Sequence, residues 1–154
     1  MELADAVAQY RAATEELVAA ARAVGADDLD RHPGGEWSTR QIVHHLADAE
    51  AESYLRLRRL LVGPEGTAIT AWDEAAWAAS DRLGYAQRPV ENALSLVAAL
   101  RATNAEVLAR MDDADLSRWG EHTQFGRYSV SQWLEIYTRH ARDHARQIVE
   151  AAGA

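Results

Sequence analysis

The three prolines of the chain are the feature that most constrains its fold. Pro33, Pro64 and Pro89 stand in breaks between segments rich in helix-forming residues, and they are the only prolines among 154 residues. Proline interrupts an α-helix because it lacks a backbone N–H and clashes with the preceding turn. Strand-like alternation of apolar and polar residues is absent, so the sequence predicts an all-α protein, a four-helix bundle around one core.

Capping signals and apolar spacing place the helix boundaries. The predicted helices span about residues 3–24, 38–62, 89–113 and 129–152. The second and fourth predicted helices begin with the same motif, a Ser-x-x-Gln capping box. Ser38 pairs with Gln41 in the second helix, and Ser129 pairs with Gln132 in the fourth. Pro89 suits the first turn of the third helix, where a backbone N–H is not needed.

The connection between the second and third helices, residues 63–88, is unusually long. Connections of this length in compact domains are usually functional or cross over the domain. A short helix could form within it over residues 73–79. We therefore expect a crossover that lets the second and third helices run parallel, whereas the shorter breaks favour antiparallel neighbours.

Composition indicates an ordinary globular protein. Hydrophobic residues make up 48% and charged residues 26% of the chain, and we expect a single domain over residues 1–154. No apolar run reaches about 18 residues, and the acidic start lacks the pattern of a secretion signal. The absence of cysteine excludes disulfides and thiolate ligands. We expect a cytoplasmic location without membrane contact.

The net charge of −8 argues against a nucleic-acid partner. An acidic domain repels phosphate backbones unless a local basic patch overrides the repulsion. The compact basic cluster is Arg56-Leu57-Arg58-Arg59, which we interpret as a solvated helix face. A small molecule is the expected substrate.

Two of the six histidines form a candidate metal-binding pair. His140 and His144 stand four residues apart in the fourth predicted helix, within roughly 40° of each other around its axis. One helical face can therefore offer both imidazoles to a divalent ion. The alternative is a pair of packed core histidines, and the spacing alone does not decide between the two.

Helical geometry separates the adjacent histidines of the second helix. Relative to Ile42 on the apolar face, His45 lies about 60° away and His44 points nearly the opposite way. His45 is therefore the inward candidate, and His44 is interpreted as a surface residue. His32 and His122 are interpreted as loop histidines. If the second and fourth helices run in compatible directions, three imidazoles could meet and leave a coordination position open for a reactant.

Several motifs resemble those of one protein family. Residues 37–50 contain a tryptophan followed eight residues on by His-Leu, which resembles the signature of the DinB superfamily. Three further segments resemble the YfiT-like branch of this superfamily. They are Pro-Gly-Gly at residues 33–35, Ala-Trp-Asp-Glu-Ala-Ala-Trp-Ala at residues 71–78, and residues 137–145, which resemble the C-terminal motif of that branch. The resemblance covers about residues 30–150 in the same order.

The resemblance implies a fold and a metal site. The fold is an up-down-down-up four-helix bundle, commonly a homodimer, with a Zn²⁺- or Ni²⁺-type ion on three histidines. Carried over position by position, the ligands are His45, His140 and His144, which are all present. Related proteins include metal-dependent hydrolases and S-transferases that use bacillithiol or mycothiol.

The expected function is that of a metal-dependent enzyme in which the ion activates a thiol or a water molecule. S-transfer is favoured over hydrolysis on family grounds alone, with a low-molecular-weight thiol as co-substrate. The alternative is a non-catalytic metal- or ligand-binding bundle with a structural or stress-related role. A closed coordination sphere would favour this alternative, whereas an open position would favour catalysis.

Other residues of the expected site carry two interpretations each. Glu50 is a weak candidate for a catalytic base, and a salt link is its simpler interpretation. Asp48 is another carboxylate near the expected site, and Asp143 is interpreted as solvated. The remaining candidates are Trp72 and Trp77, which could wall a pocket or pack in the core, and Arg127 and Arg139, which could hold an anion or lie on the surface.

Overall fold

Helices account for most of residues 2–153, which are the residues that the computed structural model describes. The α-helices are α1 (Leu3–Ala23), α2 (Thr39–Val62), α3 (Glu74–Ala78), α4 (Glu91–Leu108) and α5 (Val130–Ala152), with 3₁₀ turns at Ala26–Asp28, Pro33–Gly35 and Asp113–Ser117. The four long helices and the short helix of the connection confirm the predicted bundle. No helix in this part of the chain has the length and apolar character needed to cross a membrane.

Both predicted capping boxes are present. The Ser38 hydroxyl accepts a hydrogen bond from the Gln41 backbone N–H at 3.3 Å, and the Gln41 side chain accepts one from the Ser38 N–H at 3.0 Å. Ser129 and Gln132 repeat this arrangement at 3.2 and 2.8 Å. Each box satisfies backbone donors that the first turn of a helix leaves without a partner.

The bounds of α4 differ from the prediction at both ends. The helix begins at Glu91, and Val90 is its N-cap. Pro89 precedes the N-cap and therefore lies outside the helix. The helix ends at Leu108 because Asp112 caps the next 3₁₀ turn, where its side chain accepts from the Ala114 and Asp115 N–H groups. A residue that caps a following turn has extended backbone angles and does not continue the preceding helix.

A small three-stranded sheet was not predicted. Its strands are β1 (Thr67–Ile69), β2 (Trp119–His122) and β3 (Gly126–Ser129), with β1 parallel to β2 and β2 antiparallel to β3. The segment between the third and fourth predicted helices, for which no strand was predicted, therefore contains a hairpin. A β-carbon on Gly120 would lie 2.5 Å from the Thr67 carbonyl oxygen, so glycine is required for this close approach. The sheet attaches the crossover connection to the segment that leads into α5.

Contacts between the long helices establish their directions. The contacting pairs are Arg11–Ala105 and Thr14–Arg101 for α1 and α4, Glu50–Arg101 and Arg58–Asn104 for α2 and α4, and His45–His144 and Ser53–Trp133 for α2 and α5. These pairs make α4 antiparallel to α1 and parallel to α2, and make α5 antiparallel to α2. The topology is therefore up-down-down-up, and the predicted crossover and parallel pair are confirmed.

A polar layer separates two apolar clusters in the core. One cluster includes Leu17, Ile42 and Ile148, and the other includes Leu57 and Trp133. Arg101 and Glu50 lie in the layer between them, and both side chains are fully buried. The bundle thus carries a charged pair at mid-height, where helical bundles usually place apolar side chains.

Arg101 of α4 binds the other three long helices at once. Its Nη1 donates to Glu50 Oε1 of α2 at 2.5 Å and to the Tyr137 carbonyl oxygen of α5 at 3.3 Å. Its Nε donates to Thr14 Oγ1 of α1 at 2.8 Å, and its guanidinium lies 4.2 Å from the ring centroid of Tyr10. Burial raises the pKa of Glu50, and the Arg101 guanidinium opposes that rise.

We expect Arg101→Met to destabilise the protein by about 3–5 kcal/mol, because it leaves the Glu50 carboxylate buried without its partner. The double variant Glu50→Gln/Arg101→Met should recover more than half of this loss, since the uncompensated charge is gone. Urea unfolding followed by circular dichroism measures both values. Equal stability of the single and double variants would contradict this account of the pair.

Candidate metal centre

Three histidines from two helices converge at one site. His45 of α2 and His140 and His144 of α5 each offer a ring nitrogen, and these atoms all lie within 4.8 Å of one another. The ring centroid of His45 lies 5.0 Å from that of His144 and 5.7 Å from that of His140. The antiparallel course of α2 and α5 brings together the three residues singled out in the sequence.

Hydrogen bonds orient the ring of His144. Its Nδ1 donates to the Gln147 side-chain oxygen at 2.8 Å, which leaves Nε2 as the nitrogen with a free lone pair. That Nε2 lies 3.0 Å from Nε2 of His140. A partner on the second ring nitrogen is the usual way in which proteins fix a ligating histidine. Gln147 was not among the residues predicted for the site, although its position one turn after His144 is a signal that the sequence offers.

The protonation state of the three rings suits a cation. Burial lowers the pKa of His45 to about 4, with the nearby His144 as a second cause. Burial also lowers the pKa of His144, and it holds the pKa of His140 well below the usual range. The imidazoles are therefore neutral at pH 7, which is the form that binds metal.

The facing nitrogens of His140 and His144 also fit a metal ion, since their Nε2 atoms lie 3.0 Å apart. His45 Nδ1 and His140 Nδ1, the latter on the other side of its ring from Nε2, are buried and have no hydrogen-bond partner among the described residues. Neutral imidazoles that turn lone pairs toward one another gain nothing from the arrangement unless a proton or a cation lies between them. In a tetrahedral zinc site with bonds of about 2.0–2.1 Å, ligand nitrogens are roughly 3.3 Å apart, a spacing that small ring movements would reach here.

Indole rings enclose His45. Trp72 stacks on its imidazole with ring centroids 5.9 Å apart, and Trp37 approaches it edge-on at 5.1 Å. Trp77 in turn meets Trp72 edge-on at 4.7 Å. Trp72 is thus a wall of the histidine site, while Trp37 both packs against the core and contacts a candidate ligand.

Two clefts are lined by residues that contact the histidines, although none of the three histidines lines either cleft. The first, of about 560 Å³, is lined by Ala71, Trp72, Asp73, Glu74 and Gln124, and it reaches the site through Trp72. The second, of about 320 Å³, includes Trp37 and Gln147 in its lining. A larger cavity of about 630 Å³ lies between the start of α1 and the end of α4, and none of the three histidines lines it. The first two clefts are linked to the histidines through Trp72 and Trp37, which contact His45, and through Gln147, which contacts His144.

No carboxylate among the described residues hydrogen-bonds to the three imidazoles. Glu50 Oε1 is held by Arg101, which is the salt link considered for it. Asp48 accepts a hydrogen bond from the Tyr85 hydroxyl at 2.5 Å, and Asp143 is exposed and pairs with Arg146. None of these three carboxylates is therefore hydrogen-bonded to a candidate ligand, and His144 bonds only to Gln147 and His140 within residues 2–153.

Of the three histidines that we expected on the surface or in a loop, His32 is exposed, whereas His44 and His122 are buried. His44 is 3% exposed, donates to the Arg88 carbonyl oxygen at 3.1 Å and stacks on Tyr85. The crossover connection covers this side of α2, so the surface assignment of His44 was wrong. His122 is also 3% exposed and ends β2, where it accepts a hydrogen bond from the Gln124 N–H. The loop assignment of His122 was likewise wrong.

Of the arginines interpreted as surface residues, Arg56 departs from that interpretation, whereas Arg127 and Arg139 are exposed. Arg56 is buried and donates to the Tyr137 hydroxyl at 3.0 Å and to the Thr70 carbonyl oxygen at 3.1 Å, so the basic cluster is only partly solvated. Arg127 lies over the Trp119 ring, and Arg139 is exposed. Neither of these two lines the clefts beside the histidines.

Comparison with known proteins identifies the family. Residues 6–148 match the family described as the DinB superfamily. The chain belongs to the DinB superfamily. The resemblance found in the motifs is thereby confirmed over most of the sequence.

Relatives within the superfamily carry names that refer to metal. A protein of Oceanobacillus iheyensis named "Putative metal-dependent hydrolase" is 33% identical over 114 residues, which are 74% of this chain and 64% of the relative. A Bacillus mycoides protein of the same description is 28% identical over the same shares of both chains. This chain thus spans 64% of the length of these relatives.

A solved structure has the same architecture. YfiT from Bacillus subtilis, described as a probable metal-dependent hydrolase with an unusual four-helix bundle topology, superposes with a TM-score of 0.85. The match has 25% sequence identity and covers 98% of this chain and 86% of YfiT. The expected YfiT-like fold is confirmed.

We expect His45→Ala to lower the affinity for Zn²⁺ by at least about 100-fold, because a three-ligand site loses one ligand and a fixed ring. The matched control is His32→Ala, which removes an exposed histidine outside the site. Metal analysis after dialysis of protein purified without a histidine tag measures the difference. Equal metal content in the two variants would contradict the proposed ligand set.

The metal-free protein should lose stability as the pH falls from about 6.5 to about 4. The pKa of His45 is lower in the folded chain than in the unfolded chain, so the unfolded chain binds more protons in this window and is favoured by acid. A shift from 6.5 to about 4 corresponds to about 3 kcal/mol for His45 alone.

Urea unfolding at pH 7 and pH 4.5 measures this loss, and His45→Gln should reduce it. The comparison between variants is needed because Glu50, with its raised pKa, contributes with the opposite sign. An unchanged loss of stability in His45→Gln would show that other groups cause it.

Proposed function

We propose that this chain is a divalent-metal-dependent enzyme that acts on a small molecule, with His45, His140 and His144 as its protein ligands. The observation that carries the proposal is the convergence of three ring nitrogens within 4.8 Å from two antiparallel helices. Three protein ligands leave a position for a reactant, which is the pattern of catalytic sites. Zn²⁺ suits three neutral imidazoles, and Ni²⁺ is the second candidate.

Transfer of a thiol is the reaction that the surroundings of the site support best. A bound divalent ion removes the proton of a coordinated thiol without help from a protein base. This suits the three carboxylates considered as a base, because Glu50 pairs with Arg101, Asp48 accepts from Tyr85 and Asp143 pairs with Arg146. In the overall reaction a sulfur–carbon bond forms, the bond from carbon to the leaving group breaks, and the thiol proton passes to solvent.

The residues around the ligands have roles in binding and orientation. Gln147 fixes the ring of His144 through its Nδ1, so that Nε2 is presented to the site. Trp37 and Trp72 cover His45 and limit the access of water. Exclusion of water strengthens electrostatic interactions at the reacting atoms and protects a reactive thiolate from side reactions.

Hydrolysis is the second candidate, and the names of the relatives favour it. The Oceanobacillus and Bacillus relatives and YfiT are described as metal-dependent hydrolases. In this reaction the ion would activate water. The proton of that water would pass to solvent, because no described carboxylate is hydrogen-bonded to the three histidines to accept it. A non-catalytic bundle with a structural or stress-related role is the third candidate, and it predicts a protein ligand in the fourth position.

We expect the metal-loaded protein to consume an alkylating electrophile together with a low-molecular-weight thiol such as bacillithiol, and to form the thioether. The rate should fall at least about 100-fold in His45→Ala, since the thiol loses its activating site. Product formation is followed by mass spectrometry, with His32→Ala as the matched control. Metal-dependent cleavage of an ester or amide without any thiol would instead assign the chain to the hydrolases.

Three expectations from the sequence and the resemblance stay predictions. They are the homodimer, the cytoplasmic location and the lack of a nucleic-acid partner. They do not enter the proposal, which rests on residues of one chain.

A further inference from the structure

The Arg56 guanidinium links the three segments that build the histidine site. Arg56 belongs to α2, which carries His45. Its Nη1 donates to the Tyr137 hydroxyl of α5 at 3.0 Å, and its Nη2 donates to the Thr70 carbonyl oxygen of the crossover connection at 3.1 Å. Helix α5 carries the other two histidines, and the connection carries Trp72. One side chain therefore contacts each segment that contributes a ligand or a wall.

The Tyr137 hydroxyl is the far end of a ring that contacts a candidate ligand. The Tyr137 and His140 rings meet edge-on, with centroids 6.1 Å apart and an interplanar angle of 78°. Tyr137 is buried, and the Trp133 ring lies 5.2 Å from it, one turn earlier in α5. Aromatic rings at such distances prefer particular orientations, so a shift of the Tyr137 ring changes the surroundings of the His140 ring. The hydrogen bond from Arg56 fixes the Tyr137 ring at its hydroxyl end.

The Thr70 carbonyl lies two residues before Trp72, whose indole stacks on His45. The centroids of the stacked rings are 5.9 Å apart, and the interplanar angle is 19°. The intervening N–H, that of Ala71, donates to the Thr123 hydroxyl at the end of β2 at 2.9 Å. The backbone that leads to the indole is thus held by the guanidinium from α2 and by the hydroxyl from the hairpin. These two bonds limit the movement of the wall beside the ligand.

The charge of Arg56 is buried without an acidic partner. Its two acceptors are neutral oxygens, and none of the ion pairs within residues 2–153 includes it. Its Nε is buried and has no hydrogen-bond partner in the same range. Removing an uncompensated charge from water costs free energy, and hydrophobic residues of similar volume often replace buried charges without loss of stability. Stability alone therefore does not account for an arginine here, whereas its two directed hydrogen bonds do.

We propose that Arg56 is a positioning residue of the histidine site, which holds the Tyr137 ring against His140 and the Trp72 indole against His45. This inference rests on the metal site of the proposed function, because it assigns a support to the same ligands. The planar guanidinium presents its donors in a rigid fork, so one group sets two distances at once. Partners outside the ligand set orient ligating rings and strengthen metal binding. The alternative is a residue that only attaches the connection to the bundle.

Histidine ring signals in ¹H–¹³C NMR spectra of the metal-free, full-length protein test these positions, since a nearby aromatic ring shifts them. The spectra are recorded at about pH 8, where the imidazoles are neutral. We expect Arg56→Met to move the signals of His45 and His140, because it keeps an apolar stem and removes both donors. The matched control is Arg118→Met. Arg118 donates to two carbonyl oxygens outside the site, where α2 passes into the connection, at 3.1 and 2.8 Å. Its loss should leave both signals in place.

The variant Arg56→Lys separates the charge from the geometry of the fork. An ammonium keeps the charge but does not reproduce the fixed pair of donors, so we expect at least one of the two signals to move. Arg56→Lys also takes the place of Arg56→Met if circular dichroism shows that Arg56→Met does not fold. Wild-type signals for both His45 and His140 in Arg56→Lys would assign any effect to the charge and overturn the inference.

Binding of Co²⁺ gives a second measurement. We expect Arg56→Met and Arg56→Lys to raise the Kd for Co²⁺ about tenfold and to change the visible absorption bands of the bound ion, whereas Arg118→Met keeps the wild-type Kd and bands. If the wild type binds no Co²⁺, the proposed metal site fails, and the NMR comparison still decides the role of Arg56. The inference fails if the His45 or His140 signal keeps its position in Arg56→Met, or if Arg118→Met moves both signals equally.

Discussion

The buried pair of Arg101 and Glu50 is the interaction on which the rest of the structure depends. A guanidinium from α4 meets a carboxylate of α2, a hydroxyl of α1 and a backbone carbonyl of α5 in a layer between two apolar clusters. Buried ion pairs often add little net stability, because removing two charges from water is expensive. Their directional bonds nevertheless favour one alignment of the helices over shifted ones. Here the carbonyl that Arg101 binds belongs to Tyr137, one turn before His140.

Topology explains why the candidate site has both ligands and walls. Because α2 and α4 run parallel, the chain must travel back along the bundle between Val62 and Glu91. That return segment carries Trp72, Asp73 and Glu74, and β1 attaches it to the hairpin that precedes α5. Arg56 adds a second attachment through the Thr70 carbonyl oxygen. A bundle with short hairpin connections throughout would bring the same helices together without this cover over His45.

The electrostatics of the site change sign over a short distance. Burial keeps the imidazoles neutral, so a bound divalent ion would give the centre its full positive charge. Carboxylates line the two neighbouring clefts, Asp73 and Glu74 in one and Glu36 and Glu150 in the other. Arg101 bonds to both α2 and α5, the helices that carry the three histidines.

Local signals in the sequence determined the helices, both capping boxes, the short helix of the connection and the choice of His45 over His44 as the inward residue. Each depends on residues within about four positions, which helical geometry relates directly. Only the tertiary structure decided that Tyr85 and Arg88 bury His44, that Arg101 takes up Glu50, and that strands of three and four residues pair into a sheet. Apart from the β2–β3 hairpin, these contacts join residues about 40 to 55 positions apart, and their partners are selected by packing and by the closure of long loops, which no local pattern encodes.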